Sequence, residues 1–279
     1  MTRFVVPHFT LRDLWLSAFV AGLALASGAA VAAAAEDDPW PDLKEALFED
    51  RQIQAGDGVI RLEAPYRAYD AAIVPITLAA EIPQTPERYI RTITLIIDNN
   101  PAPVAAVFTM TPRSGTATIS TRVRINAYTN VRAVAETNDG ALYMASKFVK
   151  ASGGCSAPAS KDQDKALARL GKMKLKQSTP VRISRPNEAQ LLISHPNYSG
   201  LQMDQVTRHY IPAYFVQDVT ISYGDETIMT VEGAISLSED PSFHFSFVPE
   251  GPGALTVEVR DTEDAAFTQS WPVEPEAGS

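Results

Sequence analysis

The sequence predicts an all-β fold, built as two immunoglobulin-like β-sandwich domains joined by a cysteine-bearing arm, a helix and a linker. Three observations carry this expectation. Short alternations of apolar and polar residues with a period of two recur between residues 59 and 149, and again between 190 and 273. Turn chemistry separates the early ones at Asp98-Asn99-Asn100-Pro101, Thr111-Pro112-Arg113-Ser114-Gly115 and Asn138-Asp139-Gly140. Between the two sets lies ASGGCSAPA, residues 151–159, which interrupts the periodicity and holds the one cysteine of the 279-residue chain.

In chain order, residues 1–35 read as a secretory signal peptide. Arg3 and Arg12 precede an almost wholly apolar run from Trp15 to Val31, and the alanines before Glu36 offer cleavage near Ala33 or Ala35. That places the mature protein in the periplasm. Residues 36–150 form the first domain, opening on Trp40-Pro41-Asp42-Leu43-Lys44-Glu45-Ala46-Leu47-Phe48. A proline in the first turn and apolar residues at helical spacing make this a short docking helix. Strands are then expected at Val59–Glu63, Ile73–Leu78, Thr92–Ile97, Val104–Met110, Thr118–Ile125, Val131–Ala135 and Leu142–Val149.

Residues 151–188 form the connection. Ser160 and Gln163 have the spacing of a capping box, and Ala166, Leu167, Leu170 and Met173 would line one helical face. Basic residues from Lys172 to Lys176 suit a helix C-terminus, and Gln177 to Pro186 reads as a linker. The second domain, 189–279, offers strands at Gln190–Ser194, Phe215–Tyr223, Thr227–Glu232, Ser242–Val248, Leu255–Val259 and Phe267–Val273. In Phe243-His244-Phe245-Ser246-Phe247 the phenylalanines share one face, which leaves His244 toward solvent.

The net charge of −9, without a block of lysine or arginine, argues against nucleic-acid binding and against an anionic membrane surface. Nothing after the leader is long and apolar enough to cross a bilayer. His195, His209 and His244 stand apart, and no Cys-x-x-Cys-His run occurs, so neither a metal nor a haem cofactor is expected.

A single cysteine in an exported chain is a reactive thiol, an intermolecular bridge or a buried small side chain. Gly153 and Gly154 carry no side chains and bend freely, and Pro158 stops any strand running on from Leu142. The segment therefore reads as a thin mobile arm that holds Cys155 in reach of other proteins. Arg122 and Arg124 alternate with apolar residues and should share one solvated sheet face with Ser120. Arg67 and Asp70 suggest an ion pair bracing a loop. His195-Pro196-Asn197-Tyr198-Ser199-Gly200 offers a Cys–His dyad with Cys155, for which a mobile arm is a poor base, and Asn197-Tyr198-Ser199 fits a glycosylation pattern.

The order of these segments resembles the sulfur-oxidation carrier SoxYZ, with SoxY-like and SoxZ-like parts fused. Ile96-Ile97-Asp98-Asn99-Asn100-Pro101 and the later Ala151-Ser152-Gly153-Gly154-Cys155 are similar to SoxY; His195-Pro196, Ile211-Pro212-Ala213-Tyr214-Phe215 and the Phe243 and Val257 strands are similar to SoxZ. The resemblance implies a carrier rather than an enzyme. Cys155 would be the covalent attachment point for thiosulfate-derived sulfur, Gly153 and Gly154 the flexible approach, and separate periplasmic redox or sulfur-oxidising enzymes the partners. One departure matters: Cys155 is followed by a charged helix and a second domain, so the arm is tethered at both ends. In that respect the chain looks like fused carriers associated with quinoprotein dehydrogenases, which implies such a dehydrogenase or a c-type cytochrome as partner. The alternative is an accessory module that binds such a partner without covalent chemistry.

Overall fold

The computed structural model describes residues 38–159 and 163–274. The leader and the capping box at Ser160 lie outside them. The expected opening helix is present as α1, Trp40–Phe48. Its Trp40, Leu43 and Phe48 pack on Ile96, Val134 and Leu142 to form a small satellite core.

Eight strands follow in the first half: β1 (Ile53–Ala55), β2 (Ile60–Glu63), β3 (Val74–Ala80), β4 (Ile90–Ile97), β5 (Val104–Met110), β6 (Thr118–Val123), β7 (Thr129–Thr137) and β8 (Leu142–Val149). After α2 (Gln163–Leu167) come β9 (Met173–Gln177), β10 (Asn187–Ile193), β11 (Val216–Tyr223), β12 (Glu226–Gly233), β13 (Ser242–Phe247), β14 (Gly253–Asp261) and β15 (Ala266–Val273). Every strand expected from the alternation is present. The two additions, β1 and β9, are short and lie at sheet edges.

β9 corrects the expectation of a helix end and linker at 172–186. Gly171 adopts φ +71°, which stops the helical turn after Leu170, and donates its N–H to the Ser194 carbonyl. From there the residues alternate: Met173 is buried, while Lys174 and Lys176 face solvent on an outermost strand paired with β10. The lysines that looked like a helix terminus instead protect an exposed sheet edge.

The sheets run through both halves of the sequence. One has nine strands in the order β1-β8-β7-β4-β5-β12-β11-β14-β15, the other six in the order β2-β3-β6-β13-β10-β9. The sequence left open whether the halves pack on each other. They join edge to edge: β5 pairs with β12 from Met110 opposite Met229 to Ala106 opposite Gly233, and β6 meets β13 where Ser120 faces His244. A single core fills the space between the sheets, and Phe108 meets Phe243 edge-on across the seam at 6.2 Å. As the alternation requires, Phe243, Phe245 and Phe247 point into that core and His244 points out.

Candidate functional site

The segment after β8 is held in place step by step. Lys150 donates its N–H to the Tyr66 carbonyl, and its own carbonyl accepts from Ala68. Gly153 then donates to the Asn126 carbonyl at 2.8 Å and Gly154 to the Ile125 carbonyl at 3.0 Å. The acceptor strip is itself fixed by Asn100. That side chain accepts from the Asn126 N–H and donates to the Arg124 carbonyl and the Ser236 hydroxyl, so it links the two halves.

The second half closes over the segment from the other side. Ser199 donates its hydroxyl to the Cys155 carbonyl at 2.5 Å, and Gln202 donates Nε2 to the Ala157 carbonyl at 2.9 Å. Ser199 and Gln202 are aligned for this, since the Gln202 amide oxygen accepts from the Ser199 N–H. The result is a turn outside both sheets, docked between Ile125–Asn126 and Ser199–Gln202.

This geometry corrects the picture of a solvent-exposed arm. Cys155 is 0% exposed. Gly154 is buried as well, and a Cβ there would fall 2.0 Å from the Ala71 carbonyl oxygen. The absence of a side chain at 154 therefore serves a close approach of two backbones. Gly153 is exposed with φ +77°, the left-handed turn that leads into the docked segment.

Arg124 also departs from expectation. Arg122 stays half-buried, with Nη2 donating to the Asp240 carbonyl. β6 ends at Val123, and the Arg124 N–H leaves the ladder to donate to the Ser236 carbonyl. The alternation therefore breaks one residue before Arg124, and its side chain turns inward to 2% exposure. Nη1 donates to the Leu237 and Ile235 carbonyls, while Nε is buried without a hydrogen-bond partner. Burial pushes the Cys155 thiol up from its ordinary value, and the Arg124 guanidinium beside it pulls the other way.

His195 does not form a dyad with Cys155. It is 1% exposed, its Nδ1 accepts from the Asn197 N–H, and its Nε2 lies 3.5 Å from an Asp261 carboxylate oxygen. The Tyr214 hydroxyl donates to that same oxygen, and its ring meets the imidazole edge-on at 4.6 Å. Burial lowers the His195 pKa despite Asp261, which keeps the imidazole neutral inside the second half. Asn197 is buried too, accepting from the Val216 N–H, so the glycosylation pattern is locked in the fold. Asp70 accepts from the Ala72 N–H; among the described residues it makes no ion pair with Arg67.

No group of three or more metal-ligating side chains occurs among the described residues, and none of their helices is long and apolar enough to cross a membrane. The sequence reading missed Arg124, Asn100, Ser199 and Gln202 as parts of the site. Asn100 lay inside the SoxY-like run, but neither period nor composition marks Ser199 or Gln202.

Residues 44–155 match the family model of the sulfur oxidation protein SoxY, and residues 176–272 match that of the sulphur oxidation protein SoxZ. Among solved structures, the sulfur carrier protein SoxY from Chlorobium limicola f thiosulfatophilum is 30% identical, over 40% of this chain and 91% of that one, with a TM-score of 0.34. A superoxide reductase (neelaredoxin) from Ignicoccus hospitalis is 16% identical over 35% of this chain and 93% of its own, with a TM-score of 0.32. The fibronectin(III)-like modules of Clostridium thermocellum CbhA are 13% identical over 78% and 94%, with a TM-score of 0.24. No curated protein matches the chain. The SoxY match ends on Cys155, at the docked turn, and the SoxZ match begins within β9: the chain belongs to the SoxY and SoxZ families of sulfur oxidation proteins, fused in one polypeptide.

Proposed function

We propose that this protein is a periplasmic sulfur-oxidation carrier that holds a sulfur-containing intermediate covalently on Cys155 and presents it to separate redox enzymes. The SoxY and SoxZ domains and the likeness to a SoxY sulfur carrier support the carrier class. The observation that carries the covalent reading is the position of the thiol. The lone cysteine stands where the SoxY match ends, on a turn outside both sheets, held by hydrogen bonds from both halves.

Burial of the thiol means that the carrier works between two states. In the docked state the sulfur is shielded from solvent and from stray oxidants. In the released state a partner enzyme reaches it. Each neutral hydrogen bond contributes about 1 kcal/mol net, so the contacts around Cys155 form a latch that partner binding can open. Gly153, with open space around it and a positive φ, then lets the turn leave without moving either sheet. Both halves expose aromatic residues, among them Tyr66, Tyr69, Tyr128 and Phe148 in the first and Tyr210 in the second. Such residues suit a docking partner; a quinoprotein dehydrogenase or a c-type cytochrome is the partner class proposed here.

The test is intact mass of protein from its native periplasm, before and after reductant. The expected result is an adduct on Cys155 that reductant removes. The second reading, an accessory that binds its partner without covalent chemistry, is favoured by the same exposed aromatic residues. Cys155→Ser separates the two: it abolishes function in a covalent carrier and leaves an accessory active.

A further inference from the structure

Four strands form the outer edges of the sheets: β1 and β15 bound one, β2 and β9 the other. An open edge presents unpaired backbone groups, and folded chains blunt it by shortness or by charge. Three of these edges are blunted. β1 has only three residues, β2 has four and carries Arg61 and Glu63, and β9 carries Lys174 and Lys176. β15 has eight, Ala-Phe-Thr-Gln-Ser-Trp-Pro-Val, with no charge among them.

The direction of its free groups follows from the antiparallel ladder, in which successive residues turn their N–H and C=O to alternate sides. The Ala265 carbonyl accepts from the Asp261 N–H, so it points toward β14. Ala266, Thr268 and Ser270 therefore turn both groups outward, and Pro272 its carbonyl. Pro272 agrees with this assignment, since a residue without an N–H fits a strand where no ladder bond is needed. It withholds a donor only near the end of the edge. No backbone partner meets these outward groups among the described residues. Phe267 and Trp271, on the other face of the strand, pack against the shared core and stay half-buried.

Both ends of the edge are acidic. Glu263 and Asp264 stand exposed before it and Glu274 after it, none of them ion-paired among the described residues. One strand inward, Glu258 and Arg260 lie opposite Thr268 and Ala266 and offset each other. In either direction of pairing, a second copy of β15 would bring acid against acid.

We propose that the β15 edge is a docking site for an extended segment of another protein, uncharged in its middle and carrying lysine or arginine at its ends. The segment adds as a further strand beside β15. Its backbone pairs with the outward groups of Ala266, Thr268, Ser270 and Pro272, and its basic ends meet Glu263, Asp264 and Glu274. The edge belongs to the SoxZ half, at the opposite end of the nine-stranded sheet from β1 and β8. What Cys155 carries has no bearing on it.

The test uses isotope-labelled protein and a synthetic probe, Lys-Lys-Leu-Thr-Val-Thr-Val-Lys-Lys, whose Leu-Thr-Val run copies part of β14. In the free protein, the amides of Thr268 and Ser270 should exchange with solvent at least about tenfold faster than those of Phe267 and Gln269. The probe should slow Thr268 and Ser270 and leave the other two unchanged. Slow exchange at all four in the free protein would mean that the edge is already covered, which overturns the proposal.

Fluorescence anisotropy of the labelled probe reads affinity. A probe with glutamate in place of lysine should bind at least about fivefold more weakly, the factor that one lost hydrogen bond would also give. Thr268→Pro removes an outward N–H in the way that Pro272 already does, and should weaken the lysine probe by a similar factor. Should that variant not fold, Thr268→Lys puts a cation in the middle of the edge and should weaken the same probe. Absence of binding, equal binding of the two probes, or binding indifferent to the Thr268 variants overturns the proposal. So does a dimer in sedimentation that Thr268→Lys dissolves, because the edge would then serve a second copy.

Discussion

The hydroxyl of Ser199, in the SoxZ half, donates to the main-chain carbonyl of Cys155, at the end of the SoxY half, across a separation of 44 residues. Among the described residues, this contact and the Gln202–Ala157 bond beside it are the side-chain hydrogen bonds that the second half donates to the turn that buries the thiol. They are also small enough to break, which makes thiol accessibility the natural readout of the latch.

Ser199→Ala should raise the alkylation rate of native Cys155 about fivefold, the factor that corresponds to roughly 1 kcal/mol of lost hydrogen bonding. Iodoacetamide labelling followed by mass spectrometry measures it, with urea-unfolded protein as the upper limit. An unchanged rate would mean that Ser199 does not restrain the turn.

The two glycines should respond differently to alanine. At Gly154 a Cβ meets the Ala71 carbonyl, so Gly154→Ala should drive the turn out of its site and bring the alkylation rate close to that of an exposed thiol. At Gly153 there is open space, and only the positive φ is unfavourable, so Gly153→Ala should weaken docking by about 1 kcal/mol. Equal effects at the two positions would refute the close-approach argument.

His195 predicts an acid sensitivity. Its folded pKa is lowered by burial, so below the unfolded value of about 6.5 the unfolded chain binds a proton that the folded protein refuses. Stability from this group is complete above that pH and is lost as pH falls through the window beneath it. The slope should reach at most about 1.4 kcal/mol per pH unit. Thermal melts of wild type and His195→Asn between pH 7 and 5 should show the variant less stable but with the shallower slope.

The shared sheets predict that the halves stay together without the connecting chain. A protease site inserted between Ala159 and Gln163, then cut, should leave fragments that co-elute in size exclusion. Five residue pairs of β5 and β12 and the common core hold them. Separation of the fragments under native conditions would contradict the fused core.

Much of the fold was legible because strand periodicity is a local property. The alternation in Thr118–Val123 or Phe243–Phe247 needs no knowledge of what lies opposite. The failures have the same origin. Lys172–Lys176 suits a helix end and an edge strand equally well on composition, and the choice was made by β10 and by the turn at Gly171. Arg124 kept the alternation in the sequence but not in space, because the Ser236 carbonyl takes its N–H just past the end of β6.

From its residues alone, this chain is determined to be an all-β protein in two consecutive sets of strands, with a single thiol directly after a pair of glycines. The burial of that thiol was decided only in three dimensions. It depends on Ala71, Ile125 and Ser199, which approach Cys155 from three separate stretches of chain, and on sheets that continue from one half into the other. A glycine that permits bending and a glycine that permits contact are the same residue in a sequence; the backbone packed against it decides which role it has.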